Sequence, residues 1–306
     1  NYSLVQDYGF DWMWFNQDGI IIPMMQGDEK VIRQLREMSE KARIIYSLWP
    51  WRGERKGCDP IASLADPILT NKDWLDLAED ERCFEASLNG MIKQLEIFDK
   101  YIGFDGLYGV SISEEEPEVG MGYGRGFEVL DTIGYEGAEK IIGVYNRFFE
   151  RLKDRFNWLK IAPSFYPCFY DGRRGKLFTD EQFARIKRDF VVMDAYPADE
   201  PSVERYIESW HILYPPTTET YIILWGCGSI EKVGDGDTFE GYSRWGREKD
   251  VSRILQINEA FLKAGYTNLG WFALGWPSPV RDKILAWADE HRSQPWSDKK
   301  DFDWKR

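Results

Sequence analysis

The sequence predicts an α/β fold, a single (β/α)8 barrel with an irregular N-terminal start. Three observations predict it. Short apolar runs recur along the chain, and most are followed by a polar or glycine-rich loop and an amphipathic helix, the pattern of parallel βα units. The runs are continuous rather than alternating, as expected of strands covered on both faces. The length of 306 residues suits one barrel of typically about 250 residues. An open doubly wound sheet is the alternative. The chain reads as one catalytic barrel domain over 1–306, with a polar peripheral tail at 293–306.

The elements follow in order. Strand candidates at 10–15 (FDWMWF) and 20–24 (IIIPM) have no clear helix between them, which makes the start irregular. A helix over 28–42 leads to a strand at 44–48 (IIYSL), and 73–101 holds one long helix or two. The strand at 106–113 (GLYGVSIS) counts as the fourth. Ile141, Ile142, Tyr145, Phe148, Phe149 and Leu152 recur at the spacing of one buried helical face within 137–156. A strand at 159–164 (LKIAPS) precedes a helix at 180–187, with Thr179 as its N-cap. The strand at 190–195 (FVVMDA) precedes a helix at 201–214 that opens on Pro201. The strand at 221–225 (YIILW) precedes a helix at 250–265 that stops at Gly265. The last strand, 269–274 (LGWFAL), precedes a helix at 281–292. The count is eight strands.

Composition narrows the chemistry. The only histidines, His211 and His291, fall in helix-like stretches. There is no HExxH, no pair of histidines at metal spacing and no Ser/His/Asp arrangement. Catalysis would therefore rest on carboxylates, Tyr, Lys or Cys, with no metal and no cofactor expected. The net charge of −13 argues against nucleic acid and against an anionic membrane surface. No run of 18 apolar residues exists, so no membrane span is expected. Aromatic residues make up 16 % of the chain, including 14 Trp, and aromatic faces stack well on sugar rings. Cys58, Cys83, Cys168 and Cys227 show no CxxC and no zinc spacing; one disulfide and four free thiols both stay open, with Cys58, Cys168 and Cys227 read as inert thiols. The sequence starts at Asn1 without Met, compatible with a removed signal peptide and an extracellular or periplasmic setting. A monomer acting on carbohydrate is the expectation.

In a barrel, function collects at the carboxyl ends of the strands. The clearest signal there is 104–117, FDGLYGVSISEEEP. Alternation puts Gly109, Ser111, Ser113 and Glu115 on one side, and Tyr108, Val110, Ile112 and Glu114 on the other. The small set suits a crowded interior and points Glu115 over the mouth. Parity lapses once the strand stops, which leaves Glu114 and Glu116 as candidates too. Clustered carboxylates raise one another's pKa, as a general acid requires. Asp194, closing FVVMDA, is the best second carboxylate and shares parity with Tyr196; Glu231 competes with it, and Asp171 reads as a turn residue. A separation of roughly 5–5.5 Å between two such carboxyls implies retention, and roughly 6.5–9.5 Å implies inversion. Substrate-binding candidates near strand ends are Tyr196, Tyr166, Trp49, Trp51, Trp225, Trp271, Trp276, Arg52, Arg125 and Arg173. Trp271 could equally be core or cleft floor. The glycine-rich 120–126 (GMGYGRG) has no helix directly behind it and reads as a pliant loop carrying Arg125 over the cleft.

On these residues the chain resembles TIM-barrel glycoside hydrolases. In their large retaining clan the fourth strand ends in Asn-Glu-Pro, and Glu115-Glu116-Pro117 is similar, with Glu116 in the acid/base place and Glu115 where Asn is usual. More weakly, Asp105-Gly106 resembles the opening of the fourth strand of chitinase-like families, but Ser111 and Ser113 replace their aspartates. MDAY at 193–196 is similar in content to the Met-x-Tyr-Asp of those families. The retaining clan ends its seventh strand in a nucleophilic Glu, commonly two residues before glycine; here Leu224 takes that place before Gly226. The resemblance implies a glycosidase whose second carboxylate comes from elsewhere. A barrel that binds glycans without cleaving them, and a barrel lyase or isomerase using Tyr or Lys, are the alternatives.

Overall fold

The computed structural model describes residues 2–8, 10–15, 20–50, 71–112, 126–163, 180–194, 207, 215–217, 219–225, 248–272 and 279–291. The fold is α/β with parallel strands. The chain divides into two compact units, Trp12–Met193 and the pair of segments Asn1–Asp11 and Asp194–Trp304.

The larger unit is built on four parallel strands in chain order: β1 (Trp12–Phe15), β2 (Arg43–Leu48), β3 (Gly109–Ile112) and β4 (Lys160–Pro163). Parallel neighbours need long crossovers, and helices supply them. After α1 (Tyr2–Tyr8) of the smaller unit, α2 (Ile21–Met25) and α3 (Glu29–Ser39) lie between β1 and β2. Next come α4 (Asn71–Glu79) and α5 (Glu81–Ile102) between β2 and β3, and α6 (Gly126–Arg155) between β3 and β4. A short α7 (Asp180–Ala184) precedes β5 (Val191–Asp194). Local chemistry sets the helix starts. Asp28 caps α3 by accepting from the backbone N–H of Lys30 and Val31, and Asp80 caps α5 by accepting from Arg82 N–H.

Register fixes the two faces of this sheet. Tyr46 donates from its hydroxyl to Gln94 of α5 at 2.9 Å, so Ile44, Tyr46 and Leu48 face the helices. Pairing of Tyr46 with Val110, Ser47 with Ser111, and Ser111 with Ala162 carries the alternation across β3 and β4. Val110 and Ile112 therefore lie under helices, and Gly109 and Ser111 lie on the opposite face, the alternation that the sequence expects. Trp14 confirms the side from β1: its Nε1 donates to Ser111 Oγ at 3.0 Å.

The outer layer packs through aromatic rings. Phe84 of α5 stacks on Phe148 of α6 at 4.5 Å, and Trp74 of α4 meets the same ring edge-on at 6.4 Å. An ion-pair ladder runs beside them: Arg147 with Glu81 at 2.5 Å, Arg151 with Glu85 at 2.6 Å and Lys140 with Glu79 at 2.8 Å. The Asp189 carboxylate accepts from Lys153 Nζ and from the backbone N–H of Ile161, each at 3.0 Å, which ties the lead-in to β5 beside β4.

In the smaller unit β6 (Thr220–Trp225) pairs in parallel with β7 (Asn268–Phe272). Two helices, α8 (Glu248–Lys263) and α9 (Pro279–Glu290), complete the described part. His291 stacks on Trp287 at 4.3 Å and pairs through Nε2 with Glu259 at 2.9 Å.

Two expectations change. The run 20–24 is not a strand: it enters helix α2, with Ile20, Ile21 and Met24 buried on one side and Met25 half exposed. Pro23 sits in the first helical turn, where its missing N–H costs nothing, whereas in a central strand it would break the ladder. Among the described residues there are thus seven strands rather than eight, and the strand before the glutamate run is third rather than fourth. The helix expected over 137–156 is the second part of α6, after Gly134; a further helical stretch from Gly126 precedes it, and Gly134 between them has φ 56°, in the left-handed region that favours glycine. Of the expected helix at 201–214 only Ile207, buried, is described. Among the described residues no helix is long and apolar enough to cross a membrane.

Candidate functional site

Strand β3 (Gly109–Ile112) precedes the candidate acids in the sequence. It ends at Ile112, two residues before Glu114. Ser111, fully buried, presents its hydroxyl to Trp14 on the face opposite the helices. Gly109 packs tightly: a Cβ there would lie 2.8 Å from the Lys160 carbonyl oxygen and 2.9 Å from Phe190. Beneath it, Lys160 Nζ donates to Tyr108 Oη at 3.0 Å, and the Arg43 guanidinium lies 5.1 Å from the Tyr108 ring centre. The amino end of β3 is therefore held by cation and ring contacts while its carboxyl end leads to the glutamates.

Of the expected catalytic residues, Asp194 is described, in strand β5 (Val191–Asp194). Glu114, Glu115 and Glu116 lie outside the described residues, as do the substrate-binding candidates Tyr196, Tyr166, Trp51, Trp276, Arg52, Arg125 and Arg173. Glu231, Asp171 and His211 lie outside them too. Trp225 closes β6.

Two tryptophans are placed with their surroundings. Trp49 follows β2 and is buried, 3 % exposed. Its carbonyl accepts from Gln94 Nε2 at 2.8 Å, and its indole N–H has no hydrogen-bond partner among the described residues. Trp271 lies on the helix side of β7: its Nε1 donates to Asn258 of α8 at 3.2 Å and its ring meets Trp287 of α9 edge-on at 6.1 Å. Its register partner Leu224, 1 % exposed, shares that side. Leu224, two residues before Gly226, is thus an apolar packing position on β6.

Gln94 is a residue that the sequence reading passes over. It is 2 % exposed and joins Tyr46 Oη, the Trp49 carbonyl and the Gly90 carbonyl. Its signal was a lone amide three residues after Met91 and four before Phe98, inside the apolar stripe of α5.

Burial pushes the phenols of Tyr145 and Tyr266 upward, so neither is a base at neutral pH. Among the described residues no group of three or more His, Cys, Asp or Glu could hold a metal ion.

No protein-family model matches the sequence, and no curated protein matches it significantly. Solved structures resemble it distantly. The GH53 catalytic domain of Ignisphaera aggregans has a TM-score of 0.48 at 12 % identity, covering 92 % of this chain and 79 % of that one. A β-mannanase from the blue mussel Mytilus edulis has a TM-score of 0.48 at 11 % identity, covering 95 % and 84 %. The D-psicose 3-epimerase of Clostridium cellulolyticum H10, solved with D-tagatose, has a TM-score of 0.40 at 11 % identity, covering 98 % and 88 %. At these TM-scores no activity passes from those proteins to this chain.

Proposed function

We propose that the protein hydrolyses a glycosidic bond in a poly- or oligosaccharide. A glutamate of the Glu114–Glu115–Glu116 run is the general acid, and Asp194 is the base, nucleophile or orienting group. The observation that supports the reading is the parallel strand β3 (Gly109–Ile112), which the run follows in the sequence after Ser113. In parallel α/β sheets, ligands bind outside the carboxyl ends of the strands, and paired carboxylates are the usual means of glycoside hydrolysis. Tyr166, Tyr196 and strand-end tryptophans position sugar rings. Arginines 52, 125 and 173 add donors for hydroxyl or carboxylate groups.

The test is single replacement of Glu114, Glu115 and Glu116 by Gln, and of Asp194 by Asn, with product analysis on a panel of glycans. One Glu→Gln variant should lose turnover at least a hundredfold with an unchanged circular dichroism spectrum. Full activity in all three Gln variants would end the assignment. Mass spectrometry separates hydrolysis, which adds water, from a lyase reaction, which leaves an unsaturated sugar.

Leu224 favours one second reading, a glycan-binding protein without turnover, since it fills an apolar place where the resembling enzymes carry a carboxylate. Tight calorimetric binding of an oligosaccharide without products would select it.

A further inference from the structure

His291 directly follows α9, and both of its ring nitrogens are engaged. Nδ1 lies 2.8 Å from the Trp287 carbonyl oxygen, one turn back on α9. Nε2 lies 2.9 Å from Glu259 Oε1 on α8. The same Oε1 accepts from the Trp287 indole N–H at 3.0 Å. The imidazole also stacks on the Trp287 ring, 4.3 Å between centres and 19° between planes. At 31 % and 36 % exposure, the His291 and Glu259 side chains stay within reach of solvent protons.

These partners fix a proton count. A carbonyl oxygen only accepts, so Nδ1 must carry a hydrogen. An ionised carboxylate only accepts as well, so Nε2 must carry one too. A neutral imidazole has a single N–H and would turn a lone pair towards one of the two oxygens. The imidazolium satisfies both. Passing its proton to Oε1 leaves the count unchanged: the pair holds one proton more than a neutral imidazole facing a carboxylate. The surroundings favour the added charge. Glu259 is opposite in sign, the indole face attracts a cation, and the carboxyl end of a helix is partially negative. Lys263 follows Glu259 one turn later on α8 and opposes them, Asp289 and Glu290 precede His291 on α9, and β7 carries no ionisable side chain.

We propose that His291 is a proton-operated clasp between α8 and α9, closed in acid and loosened as pH rises. Opening releases one proton to solvent and leaves a neutral ring that no longer donates to both oxygens. The sign follows from linkage. An unfolded imidazole holds the second proton only below about 6.5, whereas the closed clasp requires it. The stability that the clasp adds is therefore full in acid and declines with rising pH. It is independent of which reaction the chain catalyses.

The chain has two histidines, so His211→Gln leaves His291 as the single imidazole in a nuclear magnetic resonance spectrum. At pH 6.5 a larger fraction of that ring should carry two protons in the native protein than in urea. Thermal unfolding compares wild type with His291→Gln, which keeps a donor and loses the charge. Wild type should melt higher at pH 5.5, and the gap should shrink at least twofold by pH 8.5. In a Glu259→Gln background that change should at least halve. An equal two-proton fraction in the native and urea-unfolded protein, a gap that is constant or grows with pH, or a change undiminished by Glu259→Gln each overturns the proposal.

Discussion

Replacing Gly109 by Ala adds one methyl group at the closest approach of β3 and β4. The new Cβ would sit 2.8 Å from the Lys160 carbonyl oxygen, 2.9 Å from Phe190 Cε1 and 3.1 Å from Lys160 Cβ. The first contact is with backbone, so no rotamer change relieves it; the strands must part. Overpacking of this kind costs about 1–3 kcal/mol. Against it stands the gain from removing a strand glycine, about 0.5–1 kcal/mol. The steric term wins, and Gly109→Ala should be less stable by about 1–2 kcal/mol. Gly143→Ala is the control. It is an exposed position inside α6 with nothing within 4 Å of a new Cβ, and it should gain about 1 kcal/mol. Guanidinium denaturation followed by tryptophan fluorescence measures both. If Gly109→Ala equals or exceeds the wild type while Gly143→Ala behaves as stated, the packing argument for β3 fails.

Other outcomes follow from particular contacts. Gln94→Leu removes three buried hydrogen bonds and should cost about 2–3 kcal/mol in the same assay; a loss under about 0.5 kcal/mol would show that the amide is dispensable. Arg82 beside Asp80 holds that carboxyl below the usual carboxylate range, down to about 2. A lowered carboxylate lends stability above its unfolded pKa and loses it as pH falls through the folded one. The melting-temperature gap between wild type and Asp80→Ala should therefore be full at pH 6 and shrink between about 4 and 2; a gap independent of pH would contradict this. Arg151→Ala breaks an exposed pair with Glu85 and should cost less than about 1 kcal/mol, fading in 1 M salt. Arg147→Ala also uncovers the Phe84 ring, 3.8 Å beneath the guanidinium, so its cost should persist in salt.

The faces of β3 were legible because a two-residue period separates Gly109 and Ser111 from Val110 and Ile112, and sheet pairing preserved that split. Helix α3 was legible as the stretch 28–42, and the structure shows Asp28 capping its start. The run IIIPM was not, because a continuous apolar stretch has no period to distinguish a buried strand from a buried helix. The stretch before Gly134 was left unassigned, and a glycine at φ 56° lets one helix follow another directly. Trp271 was visibly a residue to bury, but hydropathy does not choose a face. Asn258, distant in sequence, supplies the acceptor that decides it. For the candidate site, most of the residues the sequence names lie outside the described ones, and a disulfide stayed open because spacing alone does not encode which cysteines meet; Cys83 is bonded.

The ladder between α5 and α6 is ambiguous as an address. Glu81 and Glu85 are four residues apart, and so are Arg147, Arg151 and Arg155. Sliding α6 by one turn, about 5.4 Å, would set Arg151 against Glu81 and Arg155 against Glu85, at the loss of the Arg155–Glu96 and Lys140–Glu79 pairs. Exposed pairs are worth little each, so the repeat at Glu81 and Glu85 sets the alignment only weakly. The Phe84–Phe148 stack has no counterpart one turn away, where Phe148 gives way to Leu152 or Val144. One ring pair supplies the information that five charges lack, and it thereby sets the height at which α6 delivers the chain into β4.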